Sequence, residues 1–159
     1  MSNLVRYLAI AAIALGIAGL AIGIGFVVEA KAKSDLLTES MRREQITLGL
    51  TQEQIDQGQL VDTAVEAQKA GDTIQEHRRT IAPTYGDLLA GGRFDPDNPT
   101  HVTYMQALNM EGYLYLSVAS FGLVTVTQVA GIFMIVTGMA LAIMGVALLM
   151  LRRPALQTA

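Results

Sequence analysis

The sequence predicts an all-α membrane protein: two transmembrane helices joined by a helical extramembrane segment. Three observations carry this. Residues 113–151 run for 39 positions without Asp, Glu, Lys, Arg, His or Pro. Residues 4–28 form a second apolar stretch, interrupted only by Arg6. All 14 acidic residues lie within 29–111. A hydrocarbon core about 30 Å thick takes about 20 helical residues. The stretch 4–28 is long enough to span it. At a rise of about 1.5 Å per residue, the stretch 113–151 is nearly twice too long. Part of it must be apolar for a reason other than lipid.

The first span is assigned to residues 4–28. A signal peptide is the rival reading, with Arg6 before the apolar run and Ala30-Lys31-Ala32 as a small-x-small site. An apolar signal core is about 7–15 residues long, and this one is longer, so an uncleaved anchor is expected. Ala12, Gly16, Gly19 and Gly23 fall at steps of four, three and four, one strip along a helix face. Strips of small residues let a second helix backbone approach closely.

Residues 29–112 form the acidic, mostly helical extracytoplasmic segment. The first helix is expected to continue through residues 29–45, which contain no Gly or Pro. Thr47-Leu48-Gly49-Leu50 reads as a break. Thr51 and Gln54 have capping-box spacing, and Gly58 ends the short helix they start. A longer helix is expected over 60–81. Leu60, Ala64, Ala67, Gly71, Ile74 and Ile81 follow steps of four and three, and Arg78 fills the remaining place. That seam suits a partner helix at close range, and Pro83 limits it. Residues 85–98 are dense in turn formers and read as a loop. Asn98 is a good N-cap and Pro99 suits the first helical position. Tyr104, Tyr113 and Tyr115 suit a membrane interface.

The long run divides into an apolar helical extension, 113–125, and a second span, 126–151. Gly122 marks an expected bend. Gly131, Gly138 and Gly145 recur every seven residues, with Ala142 four after Gly138, giving a second small-residue face. The two strips are expected to pack the spans together or against other subunits. Two short spans within 113–151 are the alternative, disfavoured because no Pro or charge marks a turn. Tyr113, Leu114, Leu116, Val118 and Phe121 lie beyond what the bilayer needs, and are expected to dock on a partner. Arg152 and Arg153 follow the last span directly. The positive-inside rule then puts the tail, 152–159, and the N-terminus in the cytoplasm.

Composition narrows the chemistry. The chain has no Cys, which removes disulfides, thiolate catalysis and Cys-ligated metals. Residues 29–111 hold 8 basic against 14 acidic residues, a net charge of −6. That disfavours a nucleic-acid partner. The two histidines, His77 and His101, stand 24 residues apart and lack recognised zinc spacing. Asp95, Asp97 and Asn98 offer oxygens in a turn but lack the EF-hand pattern, so a turn is the better account. No P-loop, nucleophile elbow or dinucleotide fingerprint is present. No catalytic residue, cofactor site or metal ligand is therefore assigned, and no enzymatic activity is expected. The expected role is a non-catalytic structural or accessory subunit of a larger integral membrane complex. Its partners would be other membrane subunits, copies of itself, and the lipid bilayer of the cell membrane. A homo-oligomeric scaffold or pore is the alternative, and a metal protein using His77 and His101 is a third reading.

Overall fold

A computed structural model of the chain describes residues 3–150. Among these the protein is all-helical. Its elements are α1 (Asn3–Arg43), α2 (Gln52–Asp56), α3 (Ala64–Ile81), α4 (Tyr85–Leu89) and α5 (Pro99–Met150). Helices α1 and α5 are each long and apolar enough to cross a membrane. The end of the second span at Leu151 lies outside the described residues. So do the tail 152–159 and the arginine pair on which orientation rests. The described residues fall into two compact units divided after Ala32 and after Leu123: the second is 33–123, and the first is made of the residues on either side of it.

In the first unit α1 and α5 pack on each other through small residues. Ala9, Gly16, Gly23 and Ala30 are buried at a spacing of seven, as are Gly131, Gly138 and Gly145. A period of seven keeps one helix face on its partner over several turns. Large apolar side chains such as Leu15, Phe133 and Ile143 point outward.

The second unit has a small core of Met41, Val61, Ala67, Ala70 and Leu114, flanked by Ile46, Leu48, Leu50, Ile74, Val118 and Phe121. Its local structure follows from caps. Thr51 and Gln54 form the expected capping box on α2. Thr63 and Glu66 form another on α3, so that helix starts at Ala64 and the expected start at Leu60 is too early. This second S/T-x-x-E signal competes with an apolar periodicity that runs past the true start. Ala82 ends α3 in an extended conformation before Pro83. Gly49 takes φ +79° in the turn after α1, and a Cβ there would stand 3.2 Å from the Ala70 nitrogen. The turn therefore lies directly on α3.

Two local expectations change. The stretch 85–98 is not wholly loop, because Thr84 caps the single-turn helix α4 through the Asp87 N–H. Gly122 causes no break, and α5 is helical through it. A single Gly costs about 1 kcal/mol against Ala in a helix interior, too little to interrupt so long a helix. As expected, α5 opens at Pro99, with Asn98 Oδ1 accepting from the Thr100 N–H at 2.9 Å.

Candidate functional site

In the first unit the two glycine strips face each other. A Cβ on Gly16 would lie 2.7 Å from Gly138 O and Ala142 N. One on Gly23 would lie 2.7 Å from Gly131 O, and one on Gly138 2.7 Å from Gly16 O. Gly145 faces Ala9 O at 2.8 Å. These distances are below any real Cβ contact, so the helices approach only because the side chains are missing. Gly19 differs, since its Cβ would meet Gly138 Cα at an ordinary 3.5 Å. Ala12 is only partly buried, while Ala9 and Ala30, absent from the expected strip, are fully covered. The tightest contacts therefore recur every seven residues, at Gly16 and Gly23 of the expected strip, with Gly19 in ordinary contact with Gly138 and Ala12 at the edge. The steps of four and three matched two overlapping rows, and only the sevenfold one makes the closest approach.

In the second unit the seam of α3 meets the chain's own α5, antiparallel to it. The Tyr115 ring covers Gly71, where a Cβ would stand 3.0 Å from it, and Tyr115 Oη donates to Asp72 Oδ1 at 2.8 Å. One turn further along α3, Gln75 Nε2 donates to Glu111 Oε1 at 2.9 Å. Next, Arg78 Nε donates to Glu111 Oε2 at 2.7 Å, and its Nη1 donates to Tyr104 Oη. The Arg78 guanidinium also stands 5.0 Å from the Tyr104 ring centre. Arg78, Glu111 and Tyr104 are all buried.

This cluster is electrostatically closed. Burial pushes the Glu111 carboxyl upward, but hydrogen bonds from Arg78 and Gln75 outweigh it and hold the group below the usual carboxylate range. The hydrogen bond to Glu111 raises Arg78 against its own desolvation. Burial, then the bond to Asp72, push Tyr115 up to about 12. Among the described residues no buried side-chain nitrogen or oxygen lacks a partner. Sequence reasoning placed Tyr104 and Tyr115 at a membrane interface and passed over Glu111. Arg78 at a seam position was the available signal, because a buried guanidinium requires a carboxylate on the facing helix.

The stretch expected to dock on a partner is divided. Leu114 is fully buried, and Val118 and Phe121 pack beside it in the chain's own core. They are not left exposed in the isolated chain, contrary to expectation. Tyr113 and Leu116 do face outward. The apolar excess of 113–125 thus partly serves α3 and the turn before α2, a use that hydropathy cannot distinguish from a foreign surface.

His101 anchors the loop before α5. Its Nδ1 accepts from the Asp95 N–H at 3.0 Å, and its ring stacks on Phe94 at 5.7 Å. Asp95 Oδ1 accepts from the Asp97 N–H at 2.9 Å, the turn expected for that segment. His77 is exposed on α3. Among the described residues no group of three or more His, Asp or Glu is placed to hold a metal ion.

Two concave surfaces remain in the second unit. One, about 530 Å³, is lined by Arg42, Gly58, Gln59, Leu60, Asp62 and Glu66. Its charges are mutually engaged: Arg42 Nε donates to Asp62 Oδ2 at 2.5 Å, and Glu66 accepts from the Asp62 and Thr63 N–H groups at 3.2 Å. The other, about 480 Å³, is lined by Ala64, Val65, Gln68, Lys69, Asp72 and Val118. Comparison with known protein families, curated proteins and solved structures finds no match.

Proposed function

We propose that the chain is a two-span, non-catalytic accessory subunit of a larger integral membrane complex. In this reading the spans are 4–28 and 126–151, residues 29–112 are extracytoplasmic, and both termini are cytoplasmic. The observation that carries it is the exposure of Val65, Leu116 and Leu36, at 79%, 67% and 58%, outside both spans. In this reading these are apolar side chains on the water-facing unit that a partner would cover. Two further features support it. The glycine strips are used within the chain, leaving bulky outward faces for lipid or neighbouring subunits. The buried ionisable groups of the second unit are engaged with one another, which suits a scaffold more than a reacting centre.

Native mass spectrometry of gently extracted protein tests the reading. Foreign subunits in stoichiometric amount are expected. A single repeated mass would replace it with a homo-oligomeric scaffold, and a lone monomer would end it. Orientation is tested separately by single cysteines at Ser40 and Thr158, since the chain has none of its own. An impermeant thiol reagent applied to intact cells is expected to label the first and spare the second.

A further inference from the structure

The groove lined by Ala64, Val65, Gln68, Lys69, Asp72 and Val118 combines an apolar floor with two charges of different standing. Asp72 is taken twice: its Oδ1 accepts from Gln68 Nε2 at 2.8 Å and from Tyr115 Oη at 2.8 Å. The Lys69 ammonium has no hydrogen-bond or ion-pair partner among the described residues. Val65, at 79%, is the most exposed large apolar side chain among the described residues. An occupant that covers Val65 also strips water from Lys69. Removing water from an unpaired charge costs more than an apolar contact returns, unless the occupant brings an opposite charge.

The occupant must therefore present an apolar side chain with a carboxylate beside it. An anionic lipid headgroup offers the same charge but fits the surroundings less well. Residues 29–111 carry a net −6, and an acidic segment is repelled by an anionic bilayer surface. A protein carboxylate brings one charge without that field. We propose that this groove docks an apolar, carboxylate-bearing segment of a partner protein, with Lys69 pairing the carboxylate and Val65 covered by the apolar side chain. The assignment rests on the accessory-subunit reading and names the surface through which one partner is held.

The test places the photocrosslinker p-benzoylphenylalanine at position 65 of the full chain, in native membranes, and identifies the adduct by peptide sequencing. The expected adduct is a protein segment with Asp or Glu within four residues of an apolar attachment point. Its yield should fall at least tenfold with Lys69→Glu and persist with Lys69→Arg. Lys69→Arg should leave the melting temperature unchanged, since the Lys69 head group supports no internal contact, and Lys69→Glu should lower it only slightly through repulsion by Glu66 and Asp72 three residues away. An adduct with lipid only, with a second copy only, or with a segment lacking acid would overturn the assignment. So would no adduct, or a yield indifferent to Lys69→Glu. Native mass spectrometry of the unmodified protein separates the two readings. Foreign subunits without the expected adduct defeat the groove alone, while their absence defeats the accessory role as well.

Discussion

The two units solve the same problem, holding α1 or α3 against α5, by opposite means. The first removes side chains until backbone meets backbone, with Gly16 on Gly138 and Gly23 on Gly131. The second keeps a buried ion pair, Arg78 with Glu111, braced by Gln75 and Tyr104. The difference follows from composition. Under the proposed topology the first unit lies in lipid, where burying more apolar surface gains little and close van der Waals packing must hold the helices. The second unit would then lie in water, where apolar burial helps, but it has few large apolar side chains to bury. It turns to a satisfied polar network, which fixes the helix register at some cost in stability.

The largest expected effect comes from breaking the ion pair on one side. Glu111→Ala leaves Arg78 charged and uncompensated, at a cost of about 3–5 kcal/mol. Denaturant unfolding followed on α3 should show it, and adding Arg78→Met should recover much of the loss. Acid probes the same contact. The folded Glu111 pKa is depressed, so its contribution is present above the unfolded value of about 4.3 and lost as pH falls through the lower folded value. Glu111→Gln should flatten the acid limb of the stability profile below about pH 4. An unchanged limb would show that the pair is not the acid-sensitive contact.

Next in size is the glycine seam. Gly138→Leu forces bulk into a contact where even a Cβ would lie 2.7 Å from Gly16 O, an overpacking cost of about 1–3 kcal/mol or more. Gly19→Ala meets only an ordinary contact and should change little. Crosslinking yield between cysteines on the two helices of the first unit reads both. Equal losses would mean that the strip, and not the sevenfold row, is the contact.

How far the sequence reached depends on the kind of signal. Length and apolarity settle the two long helices, because little else tolerates 39 uncharged residues. Caps are local chemistry, so Thr51 with Gln54 and Asn98 before Pro99 could be placed without tertiary knowledge. The glycine strips were visible, but not whether they met each other or a stranger. A small residue records closeness and not identity. Glu111 was hidden for a related reason. Its partner lies 33 residues away, and only the facing of α3 and α5 connects them. Leu114, Val118 and Phe121 were expected to dock on a partner, because hydropathy is blind to which neighbour covers a side chain.

Caps give a smaller effect. Thr63→Ala removes the hydroxyl that accepts from the Glu66 N–H and loosens the reciprocal Glu66 contact. The expected loss is about 1 kcal/mol. Hydrogen exchange should rise first in the opening turn of α3 and leave the Arg78 end protected. A uniform rise would mean that α3 opens as one piece.

The smallest effect lies where the two strategies meet in one contact, Tyr115 on Gly71. The ring sits on a missing side chain, as in the first unit, while its hydroxyl bonds Asp72, in the manner of the second. Tyr115→Phe keeps the ring and removes the bond, for an expected loss of about 0.5–1.5 kcal/mol. Alkaline titration reads the burial of this phenol together with that bond. Burial and then Asp72 raise the folded pKa to about 12, against about 10 unfolded. Stability from this group is therefore full below about pH 10 and lost as pH rises through 12. Absorbance of the phenolate should show a step near 12, and Tyr115→Phe should abolish it. If the step persists in Tyr115→Phe, it belongs to another phenol and the Tyr115 hydroxyl does not carry the raised pKa. Gly71→Ala then discriminates further, because its Cβ displaces the ring and should lower the shifted pKa only if ring position and hydrogen bond are coupled.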